Sequence, residues 1–205
     1  MGNLELIDWI LTAALLAASW QLHHLVEPHH PAPPAGETHP AAASAAKPVA
    51  AATPQSLDET LRQIGRAGGF DTLDEFLRGA RLAYEAVVTA FAAGDLAPVA
   101  GFVGPAVREA FDAAIAERVA RQETLSTLFI GFLAAEPVAA GFDGESAWID
   151  VRFVAQLVST TADRDGRLIA GHPRRIDAVA EIWTFAHAAS TADPNWTLIA
   201  TEADE

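Results

Sequence analysis

Residues 148–158 read WIDVRFVAQLV. Ile149, Val151, Phe153, Ala155 and Leu157 fall on one side of an extended chain, and Trp148, Asp150, Arg152, Val154, Gln156 and Val158 on the other. Period two in a run rich in branched and aromatic residues predicts a strand with one face turned to a core. Asp165-Gly166 is a hairpin turn signal. Residues 176–186 and 196–201 predict two further strands, joined through the Asp193-Pro194-Asn195 turn. An earlier strand is expected within residues 125–136.

Upstream of residue 124 the period is that of a helix. In residues 73–91, Leu73, Phe76, Leu77, Ala80, Tyr84, Val87, Val88 and Phe91 recur at i, i+3, i+4 and i+7, which marks a core-facing stripe. Asp71 or Thr72 can cap this helix, Asp74 and Glu75 complement its dipole, and Gly94-Asp95 ends it. A shorter amphipathic helix, residues 57–67, stops at Gly68-Gly69. Pro105 opens a third, with Val107, Phe111, Ala114, Ile115 and Val119 expected to be buried. Helices first and a meandering antiparallel sheet afterwards predict an α+β domain with its helices on one face.

Composition narrows the partners. The formal net charge is -14. Up to Ser56, four acids against Lys47 contribute -3, so the rest of the chain carries -11 from 23 acids and 12 arginines. That field repels phosphate backbones, which argues against nucleic acid, and against direct docking of the domain on anionic headgroups. The chain has no cysteine, so disulfides, thiolate metal sites and cysteine catalysis are excluded.

Residues 4–22, LELIDWILTAALLAASWQL, would span roughly 28 Å as a helix, near the hydrocarbon thickness of a bilayer. Asp8 lies near one end, where a carboxylate reaches the interface, and Trp9 and Trp20 bracket the apolar run. No Lys or Arg precedes that run, so it does not read as a cleavable signal. It is expected to be a single membrane anchor, with lipid as its partner. Seven of the twelve prolines fall between Pro28 and Pro54. The expected organisation is a tail at 1–3, the anchor at 4–22, a Pro/Ala/His-rich flexible linker at 23–56 and the α+β domain at 57–205. The linker holds His23, His24, His29, His30 and His39; without fixed geometry or acidic partners they are expected to be solvated, and no metal or cofactor is expected.

An ordered set of segments resembles a known family. Phe70, the Phe76-Leu77-x-Gly79-Ala80 run with Ala83-Tyr84, and Gly94-Asp95-Leu96 look like the first helices of the Tim44-like domain of the mitochondrial protein-import machinery. Val151-Arg152-Phe153, Glu181-Ile182-Trp183-Thr184-Phe185 and Asp193-Pro194-Asn195-Trp196-x-Leu198-x-Ala200-Thr201 look like its sheet. The resemblance implies a nuclear-transport-factor-two-like (cystatin-like) fold, a curved four-stranded antiparallel sheet around helices with an apolar pocket. It also implies an inner-membrane protein with its domain on the cytoplasmic side. In mitochondria the related subunit tethers a matrix chaperone to the translocase through a region ahead of this domain; here that region is only the Pro/Ala tether.

The expected function is therefore a non-enzymatic adaptor that binds other membrane or envelope proteins. Tyr84, Phe153, Glu181, Trp183 and Trp196 are the candidate pocket-lining residues. One alternative is a module that holds an apolar ligand or lipid. The other is an isomerase or hydratase drawing on Tyr84, Asp150, Asp177, Glu181 and His187, which requires Glu181 or Asp177 to stand beside Tyr84 in the cavity. Against it, Tyr84 lies on a core stripe, Asp150 and Arg152 are placed to pair across strands, and His172 sits in a hairpin loop. Of Trp148, Trp183 and Trp196, at least two are expected to pack the sheet against the helices.

Overall fold

The computed structural model describes residues 56–144, 146–188 and 195–204. The expected anchor at 4–22, the linker and its histidines, and Asp193 and Pro194 of the last turn lie outside them. No helix among the described residues is long and apolar enough to cross a membrane.

Among the described residues three helices precede five strands. Helix α1, Leu57–Arg66, starts where the Ser56 hydroxyl accepts the Glu59 amide. Helix α2, Leu73–Ala93, is capped in the same way by Thr72, and ends at Gly94 in the left-handed region, φ 76°. Both caps take up amides that the first helical turn leaves unpaired. A 3-10 turn, Ala97–Val99, leads to α3, Pro105–Ala120, with proline in the first turn where no amide is needed.

Strands β1 (Thr124–Phe142), β2 (Ser146–Ala162), β4 (Asp177–Ala188) and β5 (Thr197–Ala203) form an antiparallel path in the order β1-β2-β4-β5. The short β3, Leu168–Gly171, pairs with the far end of β2. Among the described residues the sheet therefore has five strands rather than the four expected; β3 carries only four residues, too few to show a period. β2 alternates as expected and runs further at both ends.

Strand β1 differs most. It extends to Phe142, well past the expected end at 136, and its register slips three times against β2, leaving Ile130, Leu133 and Val138 without an opposite residue. Each extra residue reverses the inward-outward alternation, so a single period cannot be read through the strand.

Helices cover one face. Ile149, Val151, Phe153, Ala155, Trp183 and Phe185 point inward from β2 and β4 and pack with Phe76, Leu77, Tyr84 and Val87 of α2 and Phe111 of α3. Each of the large side chains contributes about 1.5–3 kcal/mol by leaving water. In α3 the expected burial of Val119 is not found; it is 64% exposed, and Arg118 is buried instead. The stripe through Phe111 and Ile115 continues at i+7 and i+3, on Arg118. Its guanidinium donates to the carbonyls of Phe91 and Ala92 and lies 5.2 Å from the Phe91 ring, so a charged group closes the end of α2.

Candidate functional site

Two features lie between α2 and the sheet, and the residues marked from sequence are divided between them. The first is a sealed polar pair. Tyr84 is fully buried, and its hydroxyl donates to the Glu181 carboxyl at 2.7 Å. Glu181 points inward from β4 because it shares the parity of Trp183 and Phe185, and only 4% of it is exposed. Burial raises its pKa to about 7, an effect that the Tyr84 hydrogen bond partly opposes. Burial also pushes the Tyr84 phenol above its ordinary value, assisted by the charge and hydrogen bond of Glu181. The Trp183 indole N–H is near enough to this carboxyl to favour its anion, yet it is not aligned as a hydrogen bond and has no partner. Thr201, opposite Trp183 in the β4–β5 register, also keeps an unpartnered hydroxyl.

Rings close the pair in. Tyr84 lies 4.6 Å from Trp183, 4.9 Å from Phe153 and 5.3 Å from Phe132, centroid to centroid. The cavity that remains, lined by Tyr84, Glu181, Trp183, Thr127 and apolar neighbours, holds about 30 Å³. That is room for about one water. Phe153 packs beside the pair and does not line this cavity.

The second feature is an open groove of about 610 Å³ on the other side of α2. Its floor is the small-residue face of the helix, Gly79, Ala80, Ala83 and Ala86, and its walls are Phe70, Phe76, Phe102, Phe185 and Trp196. Trp196 is fixed by its indole N–H, which donates to the Gly69 carbonyl at 2.8 Å, and by its packing on Phe76 at 4.8 Å. Asp71 and Glu75 are the charged residues that line it. A Cβ at Gly79 would meet no atom within 4 Å, so the floor is open above that position.

Of the expected pocket residues, then, only Trp196 lines the groove; Tyr84, Glu181 and Trp183 line the small cavity. Phe70, Phe76, Phe102 and Phe185 were not marked as lining anything. Phe70, Phe76 and Phe185 stand in the segments that carry the family resemblance, but nothing in their type or spacing separates a groove wall from core. Trp183 and Trp196 pack the sheet against the helices as expected, whereas Trp148 is 39% exposed on the outer face.

The remaining candidates are dispersed. Asp150 accepts the hydroxyl of Thr184, its cross-strand partner, at 2.7 Å. Arg152 pairs with Glu136 opposite it and with Asp204. Asp177 pairs with Arg175 at 2.7 Å, at the exposed start of β4. His187 is buried against Trp196, with ring centroids 5.4 Å apart. His172 is exposed and accepts the Arg174 amide. Among the described residues no group of three or more metal-ligating side chains is found.

A helix layer over one face of an antiparallel sheet, with a buried polar pair and an open apolar groove beside it, defines an α+β domain. The sequence profile of the Tim44-like domain family matches residues 57–203, from the first residue of α1 to the last of β5. The chain belongs to that family. No curated protein matches it.

Proposed function

We propose that the protein is a membrane-anchored, non-enzymatic adaptor whose groove holds an apolar segment of a membrane or envelope protein. In this reading residues 4–22 tether the chain in the inner membrane by a single pass, 23–56 set the reach, and the domain, of nuclear-transport-factor-two-like type, works on the cytoplasmic side. The carrying observation is the groove itself: about 610 Å³, open, walled by aromatic rings and floored by small side chains. A floor of Gly79, Ala83 and Ala86 lets a second backbone approach closely, and aromatic walls supply most of the contact area. The acids at Asp71 and Glu75 disfavour an anionic headgroup as the occupant.

Catalysis at the polar pair is the weaker reading. Glu181 does stand beside Tyr84, which is the geometry an isomerase would require. The cavity of about 30 Å³, however, is about a tenth of the smallest small-molecule pockets. A second reading, an apolar small molecule in the groove, is favoured by the groove's volume alone.

A photoreactive residue at Leu82, which lines the groove and is 64% exposed, tests the adaptor. In native membranes it should give one reproducible protein adduct, absent when the probe is moved to Leu168 on β3. Gly79→Leu should fill the groove, abolish the adduct and leave the urea midpoint no lower than that of the wild type. Adducts that survive Gly79→Leu sink the reading. A co-purifying apolar mass in native mass spectra, lost in the same variant, transfers the groove to the small-molecule reading.

A further inference from the structure

We propose that Glu181 is a proton sensor that clasps α2 to the sheet: with a neutral carboxyl the helix stays seated, and ionisation loosens it. This device is independent of what the groove binds.

The geometry puts the carboxyl at the joint between the two layers. Tyr84 reaches it from the middle of α2, Glu181 holds it from β4, and the bond between them is 2.7 Å long with both residues buried. The groups facing it can be taken element by element. Helix α2 presents Tyr84 with Val87, Val88 and Phe91, and α3 presents Phe111. Strand β1 presents Thr127, β2 Leu157 and, directly opposite in register, Phe153, and β4 itself Val179 and Trp183; in β5, Ala203 is in register with Glu181. Tyr84 is the one titratable neighbour in that set, and no basic side chain belongs to it. The other buried charged or titratable side chains among the described residues are Arg118 and His187. Arg118 is committed to the carbonyls at the end of α2, and His187 lies six positions along β4, against Trp196.

The neutral carboxyl suits this enclosure and the anion does not. Buried carboxylates stay charged when two or three aligned donors or a cation face them. Here a single hydroxyl is aligned, and the Trp183 N–H is close but unbonded. Supplying the anion with more donors requires the rings or α2 to move, and with them the hydroxyl of Tyr84.

The sign of the effect follows from linkage. Burial lifts the carboxyl from 4.5 to about 7, so the folded chain holds this proton more tightly than the unfolded one. The stabilisation is complete below pH 4.5 and is lost as pH rises through about 7. Across that window the opening equilibrium should rise by up to about tenfold per pH unit, then level off.

The test uses the full chain in detergent, with urea midpoints and hydrogen exchange of the α2 amides, corrected for intrinsic rates, between pH 4.5 and 8.5. Relative to Glu181→Gln, the wild-type midpoint should fall and α2 opening should increase as pH rises, with both differences levelling above pH 7. Parallel profiles for the two proteins overturn the proposal. If Glu181→Gln does not fold, Tyr84→Phe serves instead. Removing the donor that favours the anion should move the wild-type fall to higher pH, and an unmoved profile overturns the clasp.

Discussion

Arg118 shows how a single side chain can be misread and still be decisive. By type it belongs on the solvent face of α3, with Val119 buried, and the chain does the opposite. The guanidinium is worth burying because the last turn of α2 leaves carbonyl lone pairs unused: Arg118 donates to Ala92, and to Phe91 alongside the Gly94 amide. Arg118→Met should keep most of the packing and lose the donors. The expected cost is about 1–3 kcal/mol, read as a lower urea midpoint with α2 fraying from its C-terminal end in hydrogen exchange. The same scale explains what was legible at the polar pair. Tyr84 declared itself by its place on a helical stripe and Glu181 by its place on a strand. That the two touch could not be read, because 97 positions separate them and nothing local to either encodes the other.

At the scale of elements, caps and periods translated well where the chain is regular. Thr72, Gly94 and Pro105 set helix ends as their chemistry requires, and β2 keeps its alternation over its whole length. The joint between α1 and α2 depended on contacts that turn chemistry does not predict. Gly68-Gly69 reads as a stop signal, but Gly69 is also a packing position: an added Cβ would come within 2.6 Å of Ile64 Cγ2, and its carbonyl holds Trp196. Gly69→Ala is therefore expected to destabilise by about 1–3 kcal/mol through overpacking and to unseat the groove wall, seen as an altered near-ultraviolet spectrum from Trp196. Gly79→Ala, with open space above it, should do neither, and gains helix propensity.

For the molecule as a whole, the match to the Tim44-like domain family begins with the first residue of α1. If the domain is self-sufficient, residues 57–205 alone should unfold cooperatively at the urea midpoint of the full chain. The full chain should sediment with membranes and resist extraction by salt, and the shortened one should not. A shortened chain that remains membrane-bound would remove residues 4–22 from the proposal and put the attachment on the domain. The order of layers and the family were legible because both rest on many weak, ordered signals. The groove was not, since it is defined by where α2 leaves space and no residue type marks an absence of neighbours.

Strand β1 also carries more chain than its neighbour. Its nineteen residues run beside Ala147 to Ala162 of β2, which supply three fewer over the same border. At about 3.3 Å per residue, roughly 10 Å of surplus chain lies along one margin of the sheet. A ribbon longer on one border than on its neighbour cannot lie flat, as a hem gathered onto shorter cloth cannot. The surplus has to be taken up by coiling. The three residues that carry the surplus, Ile130, Leu133 and Val138, line neither the small cavity nor the groove, and each puts a local bend and extra twist into β1. Deleting them one at a time should remove one bend from β1 with each, leave the flanking pairs in register, and change the far-ultraviolet circular dichroism by steps.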